Sequence, residues 1–146
     1  MAINNINSLS LDPSGGFPAS ATEYVGTNQV TTSTSYTDLA TAGPAVTITT
    51  GTKALIIITA NQFNDTANGY SDMSFAVSGA TTVAASSDRS LVLRASANAT
   101  LRPSHSVLMT GLTAGSNTFT AKYSRQDAVG NAYFNYRRIS VIDMGS

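Results

Sequence analysis

The sequence predicts an all-β fold, an antiparallel β-sandwich or jelly roll of about eight strands with an extended N-terminal arm. Three observations predict it. Thr, Ser and Asn supply about a third of the 146 residues, short β-branched or alternating stretches recur between turn residues, and no window shows a capped helical period. At this length we expect one domain, divided into the arm at 1–28 and the β-sandwich at 29–146.

The first 28 residues have no sustained period, and 12–18 is turn-forming. Apolar side chains are nevertheless spaced along this almost uncharged segment, namely Ile3, Ile6, Leu9, Leu11 and Phe17. The segment lacks the basic and apolar regions of a signal peptide, and no run reaches membrane-spanning length. We therefore expect an arm that covers its own body or a neighbouring subunit.

The predicted strands follow in order along the chain. β-branched residues indicate strands at 30–36 and 45–49, and the apolar run at 53–60 is the candidate for a central strand buried on both faces. A loop that ends in Asn68-Gly69 favours a hairpin turn into a strand at 73–77, where apolar and polar residues alternate. The remaining predicted strands are 89–95, 105–110, 118–124 and 132–143.

The last of these strands changes its apolar face partway along. Phe134 and Tyr136 occupy one set of alternate positions, whereas Ile139 and Val141 occupy the other. Side chains in a regular strand alternate between faces, so this change predicts a β-bulge or a strand that contacts two environments.

Charges are few and unevenly distributed. Eight basic and eight acidic residues give a net charge of zero, which removes the attraction that drives non-specific nucleic-acid binding. Residues 1–88 carry one Lys against six acidic residues, and 89–146 carry seven basic residues against two acidic ones. This split suits self-association of an acidic part with a basic part of the next copy; alternatively, the two halves form facing sheets.

The inventory of catalytic and metal-binding residue types is thin. There is no Cys and only one His, and Ser104 and Ser106 would point away from His105 in a strand. We predict no catalytic residues, no cofactor and no metal site. The oxygen-rich segment 64–72 lacks the EF-hand spacing for calcium, so we interpret it as a solvated hairpin loop.

Aromatic and basic residues concentrate near the C-terminus. This cluster comprises Tyr123, Arg125, Tyr133, Phe134, Tyr136, Arg137 and Arg138. Three interpretations remain open: a subunit interface, a plain core strand, and a platform that stacks sugars or nucleotides. Only two Lys occur in the whole chain, and Lys is depleted at interfaces where Tyr and Arg are enriched, which favours the first interpretation.

Four segments resemble virion structural proteins of tailed bacteriophages: 32–48, 73–80, 112–123 and 136–142. The resemblance covers roughly 30–142 and leaves the arm unmatched. Proteins of this type are encoded among head and tail genes, and many are labelled minor tail proteins. The resemblance implies a non-enzymatic structural role in a virion and supplies no catalytic residues.

Among virion roles, a short β-body with an apolar arm favours a capsid decoration (cement) protein on the outer surface of the capsid. We expect a homo-oligomer, a trimer, that clamps neighbouring subunits of the major capsid protein. We predict that these interfaces are formed by the arm residues together with Tyr123, Arg125, Tyr133, Tyr136, Arg137 and Arg138. The alternatives are a tail-tip or fibre-associated module that binds a cell-surface glycan, and a host-derived carbohydrate-binding module. None of these hypotheses involves nucleic acid or a membrane.

Overall fold

The computed structural model describes residues 17–146, which form two antiparallel sheets. The strands are β1 (Ser20–Val25), β2 (Gln29–Thr31), β3 (Ala45–Thr50), β4 (Lys53–Asn64), β5 (Tyr70–Gly79), β6 (Leu91–Arg94), β7 (Ser104–Thr110), β8 (Gly115–Ser124) and β9 (Ala132–Asp143). The one helical element in this range is a 3-10 turn at Ser87–Arg89. Across the described chain, no helix has the length and apolarity to cross a membrane.

The two sheets pack as a sandwich. Sheet A has the order β1-β9-β4-β7, with β2 also paired to β9, and sheet B has the order β3-β8-β5-β6. Every pairing is antiparallel. The predicted all-β antiparallel sandwich is therefore confirmed, with nine strands in the described residues instead of about eight.

The core lies between the sheets and is filled by alternate side chains of both. Ile56 and Ile58 from β4 meet Phe75 and Phe119 from sheet B, and all four are buried. The apolar run at 53–60 lies centrally in sheet A, as predicted. Its outward side chains, such as Leu55, are only half-buried. The prediction that both faces of this strand are buried was therefore wrong.

The predicted boundary of the arm differs from the structure. Residues 20–25 were assigned to the arm but form β1, which pairs along β9 from Ser20 opposite Ile142 to Val25 opposite Arg137. The segment has no apolar run because it is an edge strand with mostly exposed side chains. Phe17 is 98% exposed. The predicted interface residues Ile3, Ile6, Leu9 and Leu11 lie outside the described residues, so the arm before residue 17 stays a prediction.

The predicted strand at 30–36 ends early, at Thr31. The Ser33 amide donates to the Thr31 hydroxyl at 3.1 Å, and the Ser33 hydroxyl donates to the Ser35 carbonyl at 2.6 Å. Such local side-chain to backbone hydrogen bonds compete with a β-ladder. The high Ser and Thr content that favoured a strand here instead turns the chain.

Each sheet combines strands from both halves of the chain. Sheet A contains β1, β2 and β4 together with β7 and β9, and sheet B mixes β3 and β5 with β6 and β8. The interpretation that the acidic and basic halves form facing sheets is therefore wrong. The charge split along the sequence does not correspond to the division between the sheets.

Candidate functional site: the Tyr–Arg groove and the apolar patch

An open groove of about 500 Å³ lies on the outer face of sheet A. We call it the Tyr–Arg groove, and its lining residues are Tyr24, Thr59, Arg102, Tyr136 and Arg138. The two tyrosines are 48% and 45% exposed, and both arginines are exposed. The groove therefore presents two aromatic rings and two guanidinium groups to solvent.

Strand register places three of these residues in one row. Tyr24 on β1 lies opposite Arg138 on β9, and Arg138 lies opposite Thr59 on β4. Directly paired residues share a face of the sheet, so all three project outward. The Thr59 hydroxyl is hydrogen-bonded to the Ser104 hydroxyl of β7 at 2.9 Å, which makes the base of the groove polar.

A β-bulge brings Tyr136 to this row. Between the pairs Thr59–Arg138 and Asn61–Asn135, β4 advances two residues while β9 advances three. Tyr136 lies in the extra step with φ of 49°, a left-handed conformation that is unfavourable for a bulky side chain. The bulge predicted from the face change in this strand is thus confirmed, and it directs Tyr136 outward.

The same bulge directs Arg137 into the core. Its side chain is fully buried and donates to the carbonyls of Thr41 and Gly43 at 3.3 and 3.2 Å and to Gln29 Oε1 at 3.0 Å. Its guanidinium lies 5.3 Å from the centroid of the Tyr123 ring. Arg137 therefore fastens the loop before β3 to the interior of sheet A.

The C-terminal cluster is consequently divided by the structure. Tyr123 and Phe134 are buried, as is Arg137. The ring centroids of Tyr123 and Phe134 lie 4.9 Å apart. The prediction that Tyr123 and Arg137 form an interface is wrong, because both side chains are buried within the chain. Their burial matches the plain-core interpretation for this part of the cluster.

The other members of the cluster lie elsewhere. Tyr133 is half-buried and stacks on Phe63 of β4, with ring centroids 4.6 Å apart. Arg125 is half-buried and donates to the Gly130 carbonyl, which closes the turn before β9. Of the cluster residues, only Tyr136 and Arg138 line the Tyr–Arg groove.

Three groove residues, Tyr24, Thr59 and Arg102, were not predicted as site residues from the sequence. Tyr24 lies in the segment assigned to the arm, and Arg102 lies in the loop before β7. The guanidinium of Arg102 is 4.5 Å from the Tyr136 ring centroid, and that of Arg138 is 5.6 Å from the Tyr24 ring centroid. The only sequence signal for Tyr24 and Arg102 is their residue type, since both are far from the cluster along the chain.

An apolar patch lies on the same outer face, toward the other end of the strands. Ile142 of β9 lies opposite Leu55 of β4, and Leu55 lies opposite Leu108 of β7. Ile57 occupies the next outward position on β4. Leu108 is 58% exposed. The apolar patch, defined as Leu55, Ile57, Leu108 and Ile142, ends at β7, the edge strand of sheet A.

A buried carboxyl lies on sheet B. Asp72 accepts hydrogen bonds from the Tyr36 hydroxyl at 2.7 Å and from the Gln126 side chain. Burial raises the pKa of Asp72 above its usual range, and the hydrogen bonds oppose this shift. The second oxygen, Oδ1, has no partner within the described structure. Tyr36 and Gln126 thus tie two loops to a carboxyl held away from water.

His105 and the oxygen-rich loop at 64–72 do not form a reactive site with the other residues that the structure describes. His105 faces inward on β7, while Ser104 and Ser106 are more exposed on the opposite face. The Asp65 carboxylate accepts from the Asn131 amide at 2.8 Å and from its side chain at 2.6 Å, and these bonds lower the pKa of Asp65. Among residues 17–146, no three His, Cys, Asp or Glu side chains form a metal-binding group.

The comparisons with known proteins show the fold. No protein-family model and no curated protein matches the chain. The structure of Eiger TNF from S. frugiperda aligns with a TM-score of 0.56 and 8% identity over 90% of this chain and 95% of that one. Two structures of infectious bursal disease virus, from the Gx strain and a VP2 subviral particle, align with TM-scores of 0.54 and 0.52 at 12% and 14% identity.

Each viral alignment covers 88% of this chain and 33% of the viral chain, so this chain spans about a third of their length. The fold is therefore a β-sandwich of the kind that occurs in viral capsid proteins and in a TNF. At these identities the similarity concerns architecture, and the function must be argued from the surface.

Proposed function

We propose that this chain is a non-enzymatic structural protein of a phage virion, where it acts as a capsid decoration protein. The observation that carries the proposal is the apolar patch, in which Leu108 is 58% exposed beside Leu55 and Ile142. Contiguous apolar groups on an exposed sheet face are typical of surfaces that contact other protein. The sandwich fold shared with viral capsid proteins is compatible with this role.

The occupant that we propose for the patch is a second copy of the chain. A fully exposed Leu or Ile that becomes buried contributes roughly 1.5–3 kcal/mol, and the half-buried Leu55, Ile57 and Ile142 contribute less than Leu108. Docking beside β7 would also cover an edge strand whose outer side has no partner in residues 17–146. Both effects favour association of copies through this face.

The charges beside the patch favour a cyclic arrangement. Lys53, Arg102 and Arg138 are exposed on this face, so a face-to-face dimer would bring like charges together. A cyclic, head-to-tail oligomer places the apolar patch against a different surface of the next copy, away from the Tyr–Arg groove at the other end of the strands. We propose that this cyclic oligomer is a trimer, whose three arms add contacts to the major capsid protein through residues 1–16.

Labelling of virions tests the location. Antibodies against the chain, carried on gold particles, are expected to label the outer surface of the capsid in electron micrographs of purified virions. Label confined to the tail would overturn the decoration role, and absence of label from intact and from opened virions would overturn the virion role.

Removal of the arm tests the clamp. Deleting residues 2–16 leaves β1 intact and is expected to abolish binding to capsids that lack the protein. A matched variant keeps the full length but replaces Ile3, Ile6, Leu9 and Leu11 by Ser. It should fail equally, because the apolar groups supply the contact. Normal binding of both variants would contradict the clamp.

A further inference from the structure

The Tyr–Arg groove has an ordered arrangement of planar groups. The Arg102 guanidinium lies 4.5 Å from the Tyr136 ring centroid and the Arg138 guanidinium lies 5.6 Å from that of Tyr24. The two tyrosine rings are 6.5 Å apart and inclined by only 20°. Each guanidinium group therefore lies beside one of two neighbouring, nearly parallel tyrosine rings.

In the part of the chain that the structure describes, no carboxylate lines the positively charged Tyr–Arg groove. The described ion pairs, Arg89 with Asp88 and Lys122 with Asp38, involve neither Arg102 nor Arg138. The acidic residues of the adjacent strands project to the opposite face, since Glu23 is paired with Ile139 and Asp143 with Ala54, both of which are buried.

Two backbone features position the tyrosines. Tyr136 is held outward at a φ of 49°, and a strained conformation of this kind persists only where the surrounding structure imposes it. A Cβ on Gly26 would lie 2.9 Å from the Tyr24 hydroxyl oxygen, so the absence of a side chain there lets the Tyr24 ring fold back over the turn. Both rings are thereby fixed beside the arginines.

We propose that the Tyr–Arg groove binds an acidic saccharide, a pyranose that carries a carboxylate. A guanidinium group matches a carboxylate with two parallel donors, and the tyrosines offer an apolar ring surface with a polar tip beside it. The Thr59 and Ser104 hydroxyls supply partners for sugar hydroxyls. This site goes beyond the proposed assembly role, which requires no ligand.

The chemistry favours a small anionic ligand over a nucleic acid or a neutral sugar. The net charge of the chain is zero, so the long-range attraction that collects a polyanion is missing. A neutral sugar would leave two guanidinium groups without a counter-charge. One or two carboxylates beside sugar rings match both the charge and the flat aromatic surface.

Calorimetric titration of the full-length chain tests the proposal. The probes are trigalacturonate, its methyl ester as a neutral match, and sodium sulfate as charge without a ring. We expect trigalacturonate to bind about tenfold or more tightly than either control, as the loss of charge-assisted hydrogen bonds implies. Added salt should weaken this binding.

Variants locate the binding. Arg102→Gln and Arg138→Gln should each weaken trigalacturonate binding about tenfold. Arg94→Gln removes an exposed arginine that lies 5.1 Å from the Tyr70 ring centroid on sheet B, and it should bind as the unchanged chain does. Tyr136→Asn suits the left-handed backbone and should lose affinity with the fold retained. Urea unfolding midpoints check the fold of every variant.

Equal binding of the methyl ester, equal binding of sulfate, or no heat with millimolar trigalacturonate would overturn the proposal. Unchanged affinity in both arginine variants would do the same. Light scattering on the same samples reports the oligomeric state separately, so a monomer that binds trigalacturonate contradicts only the assembly role.

Discussion

Tyr123 and Arg137 donate to the same buried acceptor. The Tyr123 hydroxyl lies 2.9 Å from the Gly43 carbonyl oxygen, and Nη1 of Arg137 lies 3.2 Å from it. The guanidinium also lies over the Tyr123 ring, and both side chains have no exposed surface. Carbonyl oxygens and the aromatic face compensate the positive charge of Arg137. Because Tyr123 lies on β8 and Arg137 on β9, their shared acceptor joins the two sheets to the loop before β3.

Arg137→Met should destabilise the fold by about 3 kcal/mol. The substitution approximately keeps the volume but leaves the Thr41 and Gly43 carbonyls short of a charged donor. Urea unfolding followed by Tyr fluorescence measures the change. The exposed neighbour, Arg138→Met, is the control and should change the free energy of unfolding by less than about 0.5 kcal/mol. Equal effects of the two would contradict the buried role of Arg137.

Tyr136→Asn should leave the free energy of unfolding within about 0.5 kcal/mol, because Asn tolerates the left-handed conformation and the position is exposed. Tyr136→Val should cost about 1–2 kcal/mol, since a β-branched side chain is strained at positive φ. Thermal and urea unfolding of the pair measure the difference. If Val proved the more stable of the two, the bulge would not have this geometry.

The bulge shows how far the sequence carries the prediction of the site. The change of face between Phe134 and Ile139 indicates an irregularity in β9, and the structure has one there. Alternation could not identify the extra residue. If the extra residue were one position along, Tyr136 would be buried and Arg137 exposed. Because Arg is rarely buried, both residues were predicted to lie on the surface.

The fold was more predictable than the groove. Alternation and turn residues depend on neighbours in sequence, and they located the strands that carry the core, such as β4 and β5. Tyr24 and Arg102 enter the groove only through the pairing of β1 with β9 and of Leu101 with Gln62. These contacts link residues far apart in the chain, and no local pattern encodes them.

Asp72 should make stability depend on pH. Burial raises its pKa in the folded state, so the folded chain binds this proton more tightly than the unfolded chain. Its contribution to stability is greatest below the unfolded pKa, near 3.8, and falls as the pH rises through the folded pKa. Asp72→Asn should therefore gain stability relative to the unchanged chain as the pH rises from 3 to 7, measured by urea unfolding at a series of pH values.

Tyr36→Phe provides the complementary variant. It removes the hydroxyl that donates to Asp72 at 2.7 Å, and this bond stabilises the ionised carboxylate. The fall in stability with rising pH should become steeper than in the unchanged chain. Parallel pH profiles for the unchanged chain and Asp72→Asn would show that Asp72 does not titrate as its burial implies.

Leu108→Thr should weaken association of the copies by about tenfold or more, because a Leu that becomes buried contributes roughly 1.5–3 kcal/mol. Val92→Thr is the matched control: Val92 is 43% exposed on β6 of sheet B, outside the apolar patch. Sedimentation at a series of concentrations measures both. A larger effect of Val92→Thr would place the interface on sheet B.

The central claim, that the chain assembles with itself, is tested most directly by light scattering after size exclusion of the full-length chain at micromolar concentration. The account predicts a mass of about 45 kDa, three times the 15.1 kDa of one chain. A mass of 15.1 kDa that does not change with concentration would contradict it.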